Sequence, residues 1–158
     1  MSIAIQPAQD QHVIAMAQIR SRRWETEAFW IDRIGGYLKG QYSPQHALAP
    51  RAAFVAVGED TVVGFVAGHR TRRYGCDGEL EWIDVVAERR RQGVAGKLMG
   101  AMAKWFVEQN ALRVCVDVDP TNTIARALYA KHGAERLNRH WMVWPDVHVM
   151  GERSAQGS

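Results

Sequence analysis

The chain has 158 residues, 47% of them hydrophobic and 23% charged. That balance excludes a wholly disordered protein and fits one domain large enough to bury its own core. Lysine and arginine number 20 against 17 aspartates and glutamates, a net charge of +3, too small by itself to argue for nucleic acid. The arginines fall in three clusters, Arg20/Arg22/Arg23, Arg70/Arg72/Arg73 and Arg89/Arg90/Arg91. Such clusters suit a small polyanion as well as a polymer, and no aromatics interleave them as a nucleic-acid surface would require. Cys76 and Cys115 form no C-x-x-C, and the six histidines show no ligand spacing, so neither a disulfide framework nor a metal centre is expected. No apolar run is long enough for a membrane span, and Met1 to Ile5 carry no basic export signal, so a cytoplasmic location is the expectation.

In chain order, Ile3 to Gln6 reads as a first strand stopped by Pro7. Asp10 to Arg23 carries Val13, Met16, Ala17 and Arg20 at helical spacing. A second helix runs from about Thr26 to Leu38, with Gly35-Gly36 an expected interruption. Ser43 to Pro50, with two prolines, reads as a loop. Arg51 to Val57 and Thr61 to Arg72 form a hairpin around Gly58-Glu59-Asp60, and Glu79 to Val86 adds a third strand after the Gly75-Cys76-Asp77-Gly78 turn. From Gly93 the period is helical again, through Val94, Leu98, Met102 and Trp105 as far as Gln109. Leu112 to Val118 alternates as a strand. A helix to Lys131 follows, capped by Thr121 or Asn122 and ended by His132-Gly133. Arg136 to Trp144 is a last strand or hairpin, and 151–158 a polar tail. The order β-α-α-β-β-β-α-β-α-β describes a single α/β domain over 1–150 with a mixed sheet.

Two segments carry chemistry. Arg90-Arg91-Gln92-Gly93-Val94-Ala95-Gly96-Lys97 follows a strand and opens a helix. The first helical N–H groups have no partner inside the helix, the dipole leaves positive charge there, and Gly93 and Ala95 let a phosphate approach the backbone. A solvated basic turn is the plain alternative. A Walker loop is excluded, because Arg91 stands where its first glycine belongs and Leu98 where its Ser/Thr must hold magnesium; the dinucleotide fingerprint is absent too. One strand later, Asn122, Ala125 and Tyr129 lie a turn apart on one helix face, where Tyr129 and Ala125 could equally be core. Glu79 and Glu81 lie two apart on one strand and share a face, as a catalytic pair or as solvent-facing residues; Asp84 then points to the other face.

Taken together, Leu80 to Trp144 resembles the GNAT superfamily of N-acetyltransferases. The family loop [Q/R]-x-x-G-x-[G/A] is matched by Arg90, Gly93 and Ala95. The family helix N-x-x-A-x-x-L-Y-x-K-x-G is matched by Asn122, Ala125, Leu128, Tyr129, Lys131 and Gly133. Ala87 replaces the usual proline after the preceding strand, and Ala134 the frequent phenylalanine.

The resemblance implies a GNAT-like fold with a splayed central sheet and acetyl-CoA as co-substrate. The amides of Gln92, Gly93, Val94, Ala95, Gly96 and Lys97 would hold the pyrophosphate, with Arg90 or Arg91 reaching a phosphate. Backbone at Ile83 and Val85 would bind the pantetheine arm in the splay, beside Asn122 and Ala125, with the Val85 N–H near the thioester oxygen. Tyr129 would protonate the departing thiolate, and Glu79 or Glu81 would take the proton of the acceptor amine. The expected partners are acetyl-CoA and an amine-bearing small molecule or peptide, with no metal, nucleic acid or membrane; a homodimer is compatible. The rival readings are an acyl-CoA sensor of the same fold without turnover and, far behind, a nucleic-acid binder. Trp24, Trp30 and Trp141 are candidates for an acceptor pocket or for the core.

Overall fold

A computed structural model describes residues 2–151. Its elements are β1 (Ala4–Pro7), α1 (Val13–Ser21), α2 (Glu27–Leu38), β2 (Ala47–Gly58), β3 (Thr61–Thr71), β4 (Gly78–Val85), α3 (Val94–Glu108), β5 (Val114–Asp117), α4 (Thr123–Lys131), β6 (Glu135–Arg136) and β7 (Trp141–Trp144). The strands form one mixed sheet in the order β1-β2-β3-β4-β5-β7-β6, antiparallel except where β5 lies parallel to β4. A parallel pair needs a crossover, and α3 supplies it. The helix lays Leu98, Met99, Met102 and Phe106, all fully buried, against one face of the sheet.

Two local expectations change. Gly35-Gly36 does not interrupt α2, because Trp30, Ile34 and Tyr37 bury a continuous stripe that outweighs two glycine propensity costs of about 1 kcal/mol each; Thr26 caps the helix by accepting from the Phe29 N–H at 3.0 Å. The expected loop before Pro50 is half strand: β2 begins at Ala47, and a register shift between Leu48 and Arg51 takes up the proline, one of the few sites where a strand tolerates it. Of the two readings of the last segment, the hairpin is the one observed: β6 and β7 pair antiparallel. The expected tail lies outside the described residues except for Gly151.

Asn122 rather than Thr121 caps α4, its Oδ1 accepting from the Ala125 N–H at 3.1 Å. Gly133 ends the helix at φ +98, and a Cβ there would stand 2.6 Å from Val149 Cγ2. Gly133→Ala combines a left-handed backbone with a clash in the core, and is expected to lower stability by about 2–4 kcal/mol, read as a shifted urea midpoint at unchanged slope.

Candidate active site

β4 and β5 pair only over Gly78↔Val114, Glu79↔Cys115 and Leu80↔Val116. β4 runs on to Val85, so from Glu81 onward its edge faces an open cleft. The Val86 N–H bonds to the Val63 carbonyl at 2.9 Å, on the β3 side. Since alternate residues offer their polar groups to opposite edges, the Ile83 and Val85 amides point into the cleft. The Arg90 Nε–H donates to the Val85 carbonyl at 3.3 Å, which ties the basic loop to the end of this strand. That engages the Arg90 side chain locally, whereas the Arg91 side chain is exposed.

A bulge sits at the start of the cleft. Ala67 pairs with Trp82 but Gly68 with Leu80, leaving Glu81 as the extra residue. Bulges re-aim side chains, and this one corrects the expectation about faces. A Cβ at Gly78 would meet Phe106 of α3, and one at Gly68 would meet Met102. Their neighbours Glu79 and His69 therefore face the other side, where α1 and α2 lie. Asp84 lies on that same side, five residues along, because the bulge absorbs one step. It is 2.8 Å from Arg23 Nε and 2.9 Å from Arg20 Nη1, a buried anion holding α1 to the sheet and not a free base.

Around the bulge, His69, Glu79 and Glu81 bring one donor atom each within 4.8 Å of one another. Glu79 Oε1 lies 3.2 Å from Arg73 Nε and 3.7 Å from His69 Nε2. His69 Nδ1 is 2.9 Å from the Tyr37 hydroxyl. Arg73 already sets a cation against Glu79, so the cluster reads as a proton-holding network rather than a cage for a metal ion. Burial, and after it the Glu79 charge, pushes the Glu81 carboxyl up to about 7, against a smaller opposing effect of Arg20. Asp117, at the far lip of the cleft, is also raised, first by partial desolvation.

Gly93 starts α3 at φ +80 with no side-chain cap. The first bond back into the helix comes from the Lys97 N–H to the Gly93 carbonyl at 3.1 Å, so the amides of Val94, Ala95 and Gly96 have no helical partner. Asn122 uses its oxygen as the α4 cap, one turn before half-buried Ala125. Tyr129 is 7% exposed, its ring 5.6 Å from Trp144. Burial pushes its hydroxyl up to about 12, and the charges that act on it are those of Arg20, Asp84, Arg23 and Asp117, on both lips of the cleft.

Of the tryptophans, Trp30 and Trp141 are core while Trp24 is 57% exposed. Trp24 packs edge-on to Trp30, and Tyr74, half exposed, packs on Trp141. His69, Tyr37 and Asp117 are not singled out by the sequence, and Arg73 stands there only as a member of a basic cluster. Asp117, two residues from Cys115 on a strand adjoining the motif, could have been; the other three lie in elements without a functional motif.

The family model described as "Acetyltransferase (GNAT) family" matches residues 15–134. An aminoglycoside N(6')-acetyltransferase type 1 of Salmonella typhimurium is 30% identical over 94 residues, 56% of this chain and 65% of the relative; the match thus spans somewhat under two thirds of that protein's length. The fold resembles that of an aminoglycoside 6'-N-acetyltransferase from Acinetobacter haemolyticus, with TM-score 0.72 and 20% identity over 85% of this chain and 92% of that one. It also resembles that of the PaiA N-acetyltransferase of Thermoplasma acidophilum, solved in complex with coenzyme A, with TM-score 0.69 and 15% identity over 90% and 98%.

Proposed function

Because the chain belongs to the acetyltransferase (GNAT) family, we propose that it transfers the acetyl group of acetyl-CoA to a primary amine by direct attack on the thioester. The observation that supports this reading is the cleft opened where β5 leaves β4, bordered by the Ile83 and Val85 backbone and the Glu79–Glu81 pair, with the uncapped start of α3 next along the chain.

The α3 amides, with Gly93 and Ala95 lacking bulk, bind the pyrophosphate, and Arg91 and Lys97 add charge. The Ile83 and Val85 backbone orients the pantetheine arm. Glu81 takes one proton from the acceptor ammonium, and the neutral nitrogen then attacks the carbonyl carbon. The Val85 N–H donates to the oxyanion as charge develops there. The nitrogen of the tetrahedral intermediate gives its second proton to water as the C–S bond breaks, leaving the neutral amide and a thiolate whose sulfur meets the Tyr129 hydroxyl. Full proton transfer from a tyrosine near 12 to a thiolate with a conjugate acid near 8.5 is uphill by roughly 5 kcal/mol. Tyr129 therefore acts as a hydrogen-bond donor to sulfur, and the thiol proton comes from water.

Glu79, Glu81 and Asp117 make the acceptor end acidic, and exposed Trp24 and Tyr74 flank it with aromatic surface. Those features suit a cationic acceptor, and the aminoglycoside-acetylating relatives put polyamino sugars first in a test panel. Thiol release is measured with acetyl-CoA against aminoglycosides, polyamines, amino acids and peptides. Binding of acetyl-CoA without thiol release from any amine would make the chain a sensor. Gly93→Glu puts bulk and negative charge in the phosphate cradle. Acetyl-CoA at 100 times its Kd should stabilise the parent by about 2.7 kcal/mol, seen as a raised melting temperature. The variant should show no such rise, and an unchanged rise would move the phosphate site elsewhere.

A further inference from the structure

His69 is 0% exposed, deep on β3, and no motif or comparison gives it a role. Its Nε2 has no hydrogen-bond partner, a costly state for a buried polar atom. The surroundings fix which nitrogen carries the hydrogen. Tyr37, itself fully buried, is held protonated, chiefly by burial, and Arg51 lies over its ring at 4.7 Å. Were the hydrogen on Nδ1, the Nε2 lone pair would face the Glu79 carboxylate. The favourable arrangement has the Tyr37 hydroxyl donating to Nδ1 at 2.9 Å and the Nε2–H aimed at Glu79 Oε1, 3.7 Å away. That is longer than a hydrogen bond, as catalytic contacts often are before substrate arrives.

We propose that His69, locked by Tyr37, is a positioning residue for the base: its Nε2–H and the Arg73 guanidinium engage the Glu79 carboxylate, so that the proton taken from the acceptor amine goes to Glu81 and not to Glu79. The inference rests on the amine-acetylation reading. Besides His69, the charged groups around the pair are Arg73 from the β3–β4 loop, Arg20 from α1 and Asp117 from β5. The two cations favour ionised carboxylates, whereas Asp117 opposes ionisation.

Removing a donor from a carboxylate pair raises the pH at which the pair takes its first proton, whereas removing one of the two charges lowers it. His69→Ala should therefore move the acidic limb of the kcat/KM–pH profile upward by roughly half a unit, with a loss of about twofold at neutral pH and about threefold on the limb below it, recovering in alkali. Glu79→Gln should move the same limb downward. His69→Gln, whose amide N–H can still reach Glu79, should restore most of the parental profile. Tyr37→Phe, which keeps the ring, should shift the limb in the direction of His69→Ala by less. Acetyl-CoA affinity should stay within about twofold throughout, since none of these groups reaches the phosphate cradle. If His69→Ala loses stability but keeps the parental limb, the histidine is packing only and the proposal falls. Should His69→Ala fail to fold, the shift in Tyr37→Phe decides: an unmoved limb overturns the proposal. Glu81→Gln separates the two readings. If it acetylates at the parental rate, the assignment of the base fails; if it is slow while the His69 variants keep the parental limb, only the present inference fails.

Discussion

Tyr129→Phe should turn over slowly while binding acetyl-CoA as the parent does. The substitution removes one hydroxyl and keeps a ring that packs edge-on against Trp144 at 5.6 Å, so the fold should be indifferent to it. The hydroxyl sits between the two lips of the cleft, within the fields of Arg20, Asp84, Arg23 and Asp117. No negative charge stands on sulfur in the ground state, so the hydrogen bond to it is made only as the thiolate leaves. Loss of a donor of this kind costs about 10²–10³ in kcat with little change in affinity. A thiol-release assay and a binding titration on both proteins measure the two quantities. Because the hydroxyl lies near 12, it stays protonated through the working range, and the fold-loss should be the same at pH 6 and pH 9. A loss that appeared only at low pH would implicate a titrating proton donor instead. A parental rate would leave Tyr129 as a core residue and the thiolate to depart unaided.

The proposed cofactor half of the site was legible because its chemistry is local. An uncapped helix start needs small residues in sequence, and Arg90, Gly93 and Ala95 stand together; Asn122, Ala125 and Tyr129 need only helical spacing to share a face. The acceptor half was not, because it is assembled across the sheet. Tyr37, His69 and Glu79 come from α2, β3 and β4, and nothing in their order along the chain says that they touch. Two-residue alternation placed Glu79 and Glu81 on one face and Asp84 on the other. The extra residue at Glu81 changes the count, and a bulge has no sequence signature here beyond the missing pairing partner. The run through Gly35-Gly36 and the strand before Pro50 went unread for a related reason: packing of Ile34 and Tyr37, and a register shift after Leu48, override the local preference.

Glu81→Gln should show the largest kinetic effect of any single change, and its pH dependence should identify the cause. Burial and the Glu79 charge raise this carboxyl to about 7, so it is ionised, and able to accept a proton, only above that value. Parental kcat/KM should climb through about pH 7 and level off. The glutamine keeps the size and hydrogen-bonding outline of the side chain but accepts no proton, which should cost about 10²–10⁴ in rate and remove this limb. The same shift has a consequence for stability with the opposite sense. The folded state holds the Glu81 proton at pH values where the unfolded chain has released it, so the protein binds more protons folded than unfolded from the usual carboxylate range up to about 7. Stability must then fall as pH rises through that window, and the deficit persists above it. Glu81→Gln escapes the penalty. At pH 8 the variant should melt at a higher temperature than the parent, and at pH 4, where both side chains are neutral, the difference should vanish. A slow enzyme that is also the more stable one in alkali cannot owe its slowness to unfolding. If instead Glu81→Gln is slow and equally destabilised at both pH values, the carboxylate is a packing residue of the bulge, and the acceptor's proton leaves by way of Asp117 or water.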